Sequence, residues 1–215
     1  MSLIIRHMTL EDIPQVQEIE KEAFPTQWPP PSYKRELQNK LAHYLVLLEE
    51  NENPSPVQQK SPGNLISGIL RHLFPYRDKV SGSLPQKESN IIGMAGIWYM
   101  FDEAHVTTVA VRENRRRQGL GELLLIALID LSQELDARVV TLEVRVSNRT
   151  AQQLYLKYGF KGISIRKGYY VEDGEDALIM TTEGITTTQY QGHIQNMKLG
   201  HKIKWELDYK ETRKF

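Results

Sequence analysis

The chain has 215 residues, 40% of them apolar and 25% charged, with 27 Lys+Arg against 27 Asp+Glu and no cysteine. That length suits one domain with room for an appendage and a sizeable core, and the charged fraction argues against wholesale disorder. Zero net charge argues against holding nucleic acid by bulk electrostatics, and the lack of cysteine excludes disulfides, thiolate zinc sites and thiol nucleophiles.

Met1 to Met8 alternate apolar and polar with Arg6 as their one charge, unlike a signal peptide. The longest uncharged apolar run, Ile91 to Phe101, is too short to cross a bilayer. The expectation is a cytoplasmic protein with no membrane partner.

Ser2 to His7 reads as a strand. Thr9, with Asp12 three residues on, starts a helix whose apolar stripe is Ile13, Val16, Ile19 and Ala23. Pro25 ends it, Pro29 to Pro31 form a rigid connector, and a short helix over 32–40 precedes a strand over 43–49. Residues 51–90 hold five of the ten prolines and read as an insertion in a loop, carrying one short helix around Leu65 to Phe74. That helix is read as packing on the body, with a substrate lid or partner helix as the alternative.

Strands follow over 91–100 and 105–112, then a basic, glycine-bearing turn. A long helix comes next, with Leu120, Leu123, Leu124, Ala127, Leu128, Leu131 and Leu135 on one face. A strand over 138–146, a helix over 148–158 closed by Gly159, and strands over 160–166 and 177–182 complete the pattern. Residues 184–215 are polar, with six Lys/Arg against three acids, and read as a basic C-terminal extension beyond a domain spanning 1–183. Adjacent strands without intervening helices require a mixed sheet, so the fold class is α/β, a mixed sheet flanked by helices.

The most informative segment runs from Val109 to Gly121. A strand enters a turn that opens directly onto a helix, whose first N–H groups lack intrahelical partners and carry the positive end of the dipole. Gly119 and Gly121 permit close approach of an anion, and arginines beside them add charge, which suits a phosphate or pyrophosphate. Neither the Walker loop nor the dinucleotide fingerprint matches, because no Gly-Lys-Ser/Thr ending is present and Leu124 stands where a third glycine is needed. From the glycines alone, a tight turn with a solvated basic run fits equally well.

Arg116-x-x-Gly119-x-Gly121 between a strand and a leucine-rich helix resembles the acetyl-CoA motif of the GCN5-related N-acetyltransferases, the GNAT superfamily. The resemblance implies acetyl-CoA as co-substrate, with pyrophosphate held by backbone groups around Arg116, Arg117, Gln118, Gly119, Leu120, Gly121 and Glu122. The strand Val109, Ala110 and Val111 would bond the pantetheine arm and polarise the thioester carbonyl.

On the strand over 138–146, Val140, Leu142, Val144 and Val146 make an apolar face, which leaves Glu143 among polar neighbours on the other. By itself Glu143 reads first as a salt-bridge partner of Arg145 or a neighbouring arginine. Asn148 reads as an N-cap, and Tyr155 alone as a core aromatic on the stripe Ala151, Leu154, Tyr155, Tyr158. The run from Ala151 to Phe160, however, is similar to the Ala-x-x-Leu-Tyr-x-x-x-Gly-Phe signature of the same family. That likeness implies Tyr155 as the acid that protonates the departing thiolate, and Asn148 beside the cofactor.

Within the family, Asp102-Glu103-Ala104, Leu142 to Arg145, Ser147-Asn148, Ile165 to Tyr170 and Glu175 to Met180 most resemble the bacterial ribosomal-protein-alanine N-acetyltransferases. The implied reaction moves acetyl from acetyl-CoA to the N-terminal alanine of a ribosomal protein, with Glu143 as base and no metal. Alternatives are a small amine or lysine as acceptor, a non-catalytic acetyl-CoA sensor, and a nucleic-acid module using Arg112, Arg115, Arg116, Arg117 and the basic tail. A peptide acceptor predicts an open groove with Tyr169 and Tyr170 on its wall; a small amine predicts a closed pocket.

Overall fold

The computed structural model describes residues 2–24, 31–50 and 90–212. Strand β1 (Ser2–His7) leads into a 3-10 turn where the Thr9 N–H donates to Asp12 Oδ2 at 2.7 Å, the cap that the Thr9–Asp12 spacing predicts. Helix α1 (Ile13–Ala23) then buries Val16 and Ile19. Helix α2 (Tyr33–Glu36) is a single turn, shorter than expected. Beyond its C-cap Leu37, Asn39 turns the chain toward the next strand, accepting the Leu41 N–H on its side chain and the Ala42 N–H on its carbonyl.

Strands β2 (Ala42–Glu50), β3 (Asn90–Met100) and β4 (Glu103–Val111) follow, then helix α3 (Leu120–Glu134), strand β5 (Val139–Arg145) and helix α4 (Arg149–Lys157). Strands β6 (Phe160–Tyr170) and β7 (Glu175–Thr182) form a longer hairpin than the sequence suggests. Helix α5 (Thr188–Trp205) and strand β8 (Asp208–Thr212) end the described chain. The eight strands form one sheet in the order β6-β7-β5-β4-β3-β2-β1-β8. Pairs β4–β5 and β1–β8 are parallel and the others antiparallel, so the sheet is mixed, as expected.

Helices cover both faces. Leu45 and Leu47 of β2 point into the layer shared with α3, whereas Tyr44, Val46 and Leu48 point into the layer with Val16, Ile19 and Tyr33. Because both faces are covered, Ile91 through Ile97 of β3 are all buried, and the strand reads as an apolar run rather than an alternation. The proposed insertion lies outside the described residues. It joins antiparallel neighbours, and Glu49 and Asn90 at its two ends are register partners.

Residues 184–212, read from sequence as an extension, instead complete the fold. Tyr190, Ile194 and Met197 of α5 enter the same core as α3. The Tyr190 hydroxyl donates to Tyr158 O at 3.0 Å, and His193 Nε2 lies 2.9 Å from Lys157 O, so α5 satisfies carbonyls left open at the end of α4. Strand β8 adds to the β1 edge from Ser2↔Asp208 to Arg6↔Thr212. In α3, Leu125, Ile126 and Ile129 are buried beside the expected stripe; a helix apolar on nearly all sides must be covered on nearly all sides.

The close ends of the 51–89 segment generate an expectation. Replacing residues 53–88 by a short glycine linker should leave a cooperative thermal melt intact, since each doubling of loop length changes closure cost by only about 0.6 kcal/mol. Loss of the cooperative melt would assign that segment to the core.

Candidate active site

Strands β4 and β5 pair only from Glu103↔Val139 to His105↔Thr141. The register of β3 against β4 jumps from Ile97↔Val106 to Gly96↔Thr108, leaving Thr107 as an extra residue. Such a bulge bends a strand, and past it β4 leaves β5. The gap is a cleft of about 930 Å³ that reaches α3 and α4 on one face of the sheet and α1 and α2 on the other.

The open edge of β4 carries unpaired backbone groups. The Arg112 N–H bonds Ile92 O at 2.9 Å, and antiparallel alternation then turns the N–H groups of Val109 and Val111 away from β3, toward the gap. Ala110 points its groups the other way and its side chain into the α1 layer.

At the α3 face, the turn enters the helix through two left-handed residues, Arg117 (φ 60°) and Gly119 (φ 77°). Leu120, Gly121 and Glu122 open α3 and have no acceptor one turn earlier in the helix. A Cβ on Gly121 would meet only Val111 Cγ2, at 3.9 Å, so this glycine borders open space in the cleft. Gly119 differs: a Cβ there would stand 2.7 Å from the Trp205 ring, so its close neighbour is α5.

Most of the turn's arginines are committed elsewhere. Arg112 pairs with Glu18 and Glu22 at 3.0 Å each. Arg115 pairs with Glu49, and its Nε reaches Gln118 Oε1 at 3.3 Å. Arg116 donates to Val111 O at 3.2 Å and Glu22 O at 3.3 Å. They fix the turn's shape rather than form a free basic surface, and Arg117 stays exposed.

Alternation along β5 sends Val140, Leu142 and Val144 into the α3 layer and Glu143 to the opposite face. There its side chain is 7% exposed, 2.8 Å from His105 Nε2 and 3.0 Å from Arg166 Nη1. The hydrogen bond from His105 lowers the Glu143 pKa, against desolvation that would raise it, so the carboxylate stays ionised. Arg145, on the same strand as Glu143, pairs instead with Glu172, Asp173 and Glu175, and the arginine beside Glu143 is Arg166.

Tyr155 lies on α4, its ring 5.6 Å from that of Phe160, and burial pushes its pKa up to about 12. Tyr155 and Glu143 line the same cleft from opposite sides of the sheet. Asn148 lines it too and caps α4, accepting the Ala151 N–H at 3.1 Å. Tyr169 and Tyr170 stand edge to face with centroids 5.1 Å apart and border the cleft, where the sequence placed them.

His105 and Arg166 were not singled out as site residues, and only a register puts them beside Glu143. The alternation of β4 was a usable signal for His105, since Ala104 and Val106 flank it as core residues. Glu122 turns its carboxylate to Lys157 and to the Tyr158 hydroxyl at 2.8 Å, tying the start of α3 to the end of α4. Its backbone remains at the helix N-terminus. Among the described residues, no group of three or more His, Asp or Glu is placed to hold a metal ion, and no helix is long and apolar enough to cross a membrane.

The sheet is thus parted between two parallel strands, with the start of α3 at the mouth of the gap. The sequence profile of the Acetyltransferase (GNAT) family matches residues 68–160. A Bacillus subtilis (strain 168) protein, provisionally named a ribosomal protein bS18-alanine N-acetyltransferase, is 37% identical over 177 residues. The alignment covers 82% of this chain and 92% of that protein. The crystal structure of the Escherichia coli ribosomal-protein-S18-alanine N-acetyltransferase superposes with a TM-score of 0.61 and 26% identity, over 84% of this chain and 93% of that one. An Elizabethkingia anophelis GNAT acetyltransferase solved with acetyl-CoA bound shares the fold at a TM-score of 0.56 and 16% identity, over 84% of this chain and 97% of that one. This chain belongs to the GNAT family and is an acetyltransferase.

The Glu122 link makes a stability prediction. Burial raises the Glu122 pKa, but hydrogen bonds from Lys157 and Tyr158 outweigh it and leave the pKa below its ordinary value. The stabilisation is therefore complete above the unfolded carboxylate pKa of about 4.3 and is lost as pH falls through the folded value. Glu122→Gln should cost about 1–3 kcal/mol at neutral pH, with the difference from the parent shrinking in acid. Urea unfolding at several pH values measures it.

Proposed function

We propose that this protein transfers the acetyl group of acetyl-CoA directly to a protein α-amine, the N-terminal alanine of a ribosomal protein, in the cytoplasm. The observation that carries the reading is the cleft passing through the sheet, with a free helix N-terminus on one face and an ionised carboxylate on the other. The acceptor class is supported by the 37% identical relative and its name. It is also supported by the tyrosine-walled groove, in which Tyr169 remains 39% exposed.

In this reading the turn from Arg116 through Gly119 and the N–H groups of Leu120, Gly121 and Glu122 hold the pyrophosphate, with Arg117 and Gln118 exposed beside it. Val109 and Val111 bond the pantetheine arm along the open edge of β4 and stabilise the developing oxyanion, while Ala110 anchors that strand to β3. Asn148 borders the arm from α4. The acceptor arrives from the α1–α2 face, where Glu143 waits.

An α-amine has a pKa of about 7.7–8.0, so solvent removes its first proton near neutral pH. Once nitrogen attacks the thioester carbon, the nitrogen becomes strongly acidic, and Glu143 takes the second proton directly or through one water. Tyr155, neutral with its raised pKa, returns a proton to the sulfur as the C–S bond breaks. The 2.8 Å contact between His105 and Glu143 supports a second reading, in which His105 takes the proton and Glu143 orients its ring.

Peptides beginning Ala, Ser, Gly or Met, with an N-blocked lysine peptide, are incubated with acetyl-CoA and read by mass spectrometry. Acetylation of the Ala peptide's α-amine is expected. Modification of only the lysine peptide removes the acceptor assignment.

Glu143→Gln and Tyr155→Phe should each lower turnover by about 10²–10⁴-fold with acetyl-CoA affinity retained. His105→Gln should cost much less; a loss as large as that of E143Q moves the base to His105. Because the Glu143 pKa is depressed, the parent rate should rise as the amine loses its proton, near pH 8, and not through the carboxylate range.

A further inference from the structure

We propose that Trp205 is a positioning residue for the coenzyme: its indole packs on Gly119 and holds the turn that presents the N–H groups of Leu120, Gly121 and Glu122. This rests on the coenzyme site proposed above and adds to it a part supplied by the C-terminal helix.

Gly119 sits at φ 77°, a conformation L side chains rarely adopt, and a Cβ there would stand 2.7 Å from Cγ, Cδ1 and Cδ2 of Trp205. The ring thus lies flat against the one residue of the turn that has no side chain to hold it. One helical turn back, His201 is 1% exposed, with Nε2 2.9 Å from Gly119 O. That carbonyl also accepts the Leu123 N–H at 2.9 Å, and a carbonyl can only accept, so His201 Nε2 carries a proton and donates it. Two residues of α5 therefore grip Gly119, one at its α-carbon and one at its oxygen.

The grip is anchored at both ends. Lys198 pairs with Asp130 of α3, and Tyr190 and His193 hold the carbonyls of Tyr158 and Lys157. Beyond Trp205, Glu206 turns left-handed at φ 49° and ends the helix, and β8 pairs with β1 over five residues. The indole Nε1 is buried with no partner among the described residues, so the ring supplies contact here and not a hydrogen bond.

A turn held from behind pays less conformational entropy when it closes on an anion. By reciprocity, an anion bound at the turn also stabilises the docking of α5 and β8.

The test uses the full chain. Trp205→Ala should weaken coenzyme A binding, measured by calorimetry, by about tenfold or more, within the usual range for coupled sites. The kinetic effect should fall on KM for acetyl-CoA, with kcat and the acceptor KM much less affected. Trp205→Phe, which keeps an aromatic ring on Gly119, should restore most of the affinity. In the parent, coenzyme A should slow amide hydrogen exchange across residues 188–212.

Trp205→Ala binding coenzyme A as tightly as the parent, or more tightly, overturns the proposal. So does equal weakening in the Ala and Phe variants, because the indole N–H and not the ring would then be what the coenzyme needs. If Trp205→Ala does not fold, the parent decides: unchanged exchange across 188–212 on adding coenzyme A overturns it. Gly121→Val separates this inference from the site itself, since that side chain would enter the open cleft. If G121V loses coenzyme A and W205A does not, only the role of Trp205 falls; if neither loses it, the coenzyme site falls and this role with it.

Discussion

The parting of β4 from β5 is the constraint on which the rest of the structure depends. Three register pairs hold the strands together, and the extra residue at Thr107 then turns β4 away. The backbone groups left unpaired there face the cleft rather than a closed core. The fold tolerates the gap because the strands beyond it are held by other partners, β4 by β3 and β5 by β7. In the proposed function, the pantetheine arm, a chain with its own amide groups, bonds that edge.

The same gap separates the two residues to which the proposed reaction gives the roles of base and acid. Strand alternation sends Glu143 and His105 to the α1–α2 face, while Tyr155 projects from α4 on the other. A base and an acid in contact would neutralise each other's purpose. In the proposed reaction, held on opposite sides of the sheet, they act on the incoming nitrogen and the departing sulfur of one thioester. His105 and Arg166 keep Glu143 ionised although its side chain is only 7% exposed.

Local patterns carried the interior of the fold into the sequence. Thr9–Asp12, the strand runs, the α3 leucines and the Asn148 cap each report on neighbours a few residues away, and each is found where expected. Motif likeness marked Gly121, Glu143, Asn148 and Tyr155, and the structure brings all four to one cleft. Long-range partners were less legible. Strand β8 is short and charged and becomes a strand only because β1 offers an edge. Helix α5 is polar along most of its length, with Tyr190, Ile194 and His201 as its buried residues. Its clearest trace lay in α3, where Leu125, Ile126 and Ile129 make the helix too apolar for one covered face. Gly119 likewise reads as an anion contact in sequence and is, in space, also the seat of Trp205.

The central claim is that the parted strands and the start of α3 together hold acetyl-CoA. A crystal structure of the protein with coenzyme A bound tests it most directly. The account predicts pyrophosphate oxygens about 3 Å from the N–H groups of Leu120, Gly121 or Glu122, with the pantetheine arm bonded to Val109 and Val111 and its sulfur lying between Glu143 and Tyr155. Coenzyme A bound away from this cleft, or in it with the pyrophosphate far from the start of α3, would contradict the account.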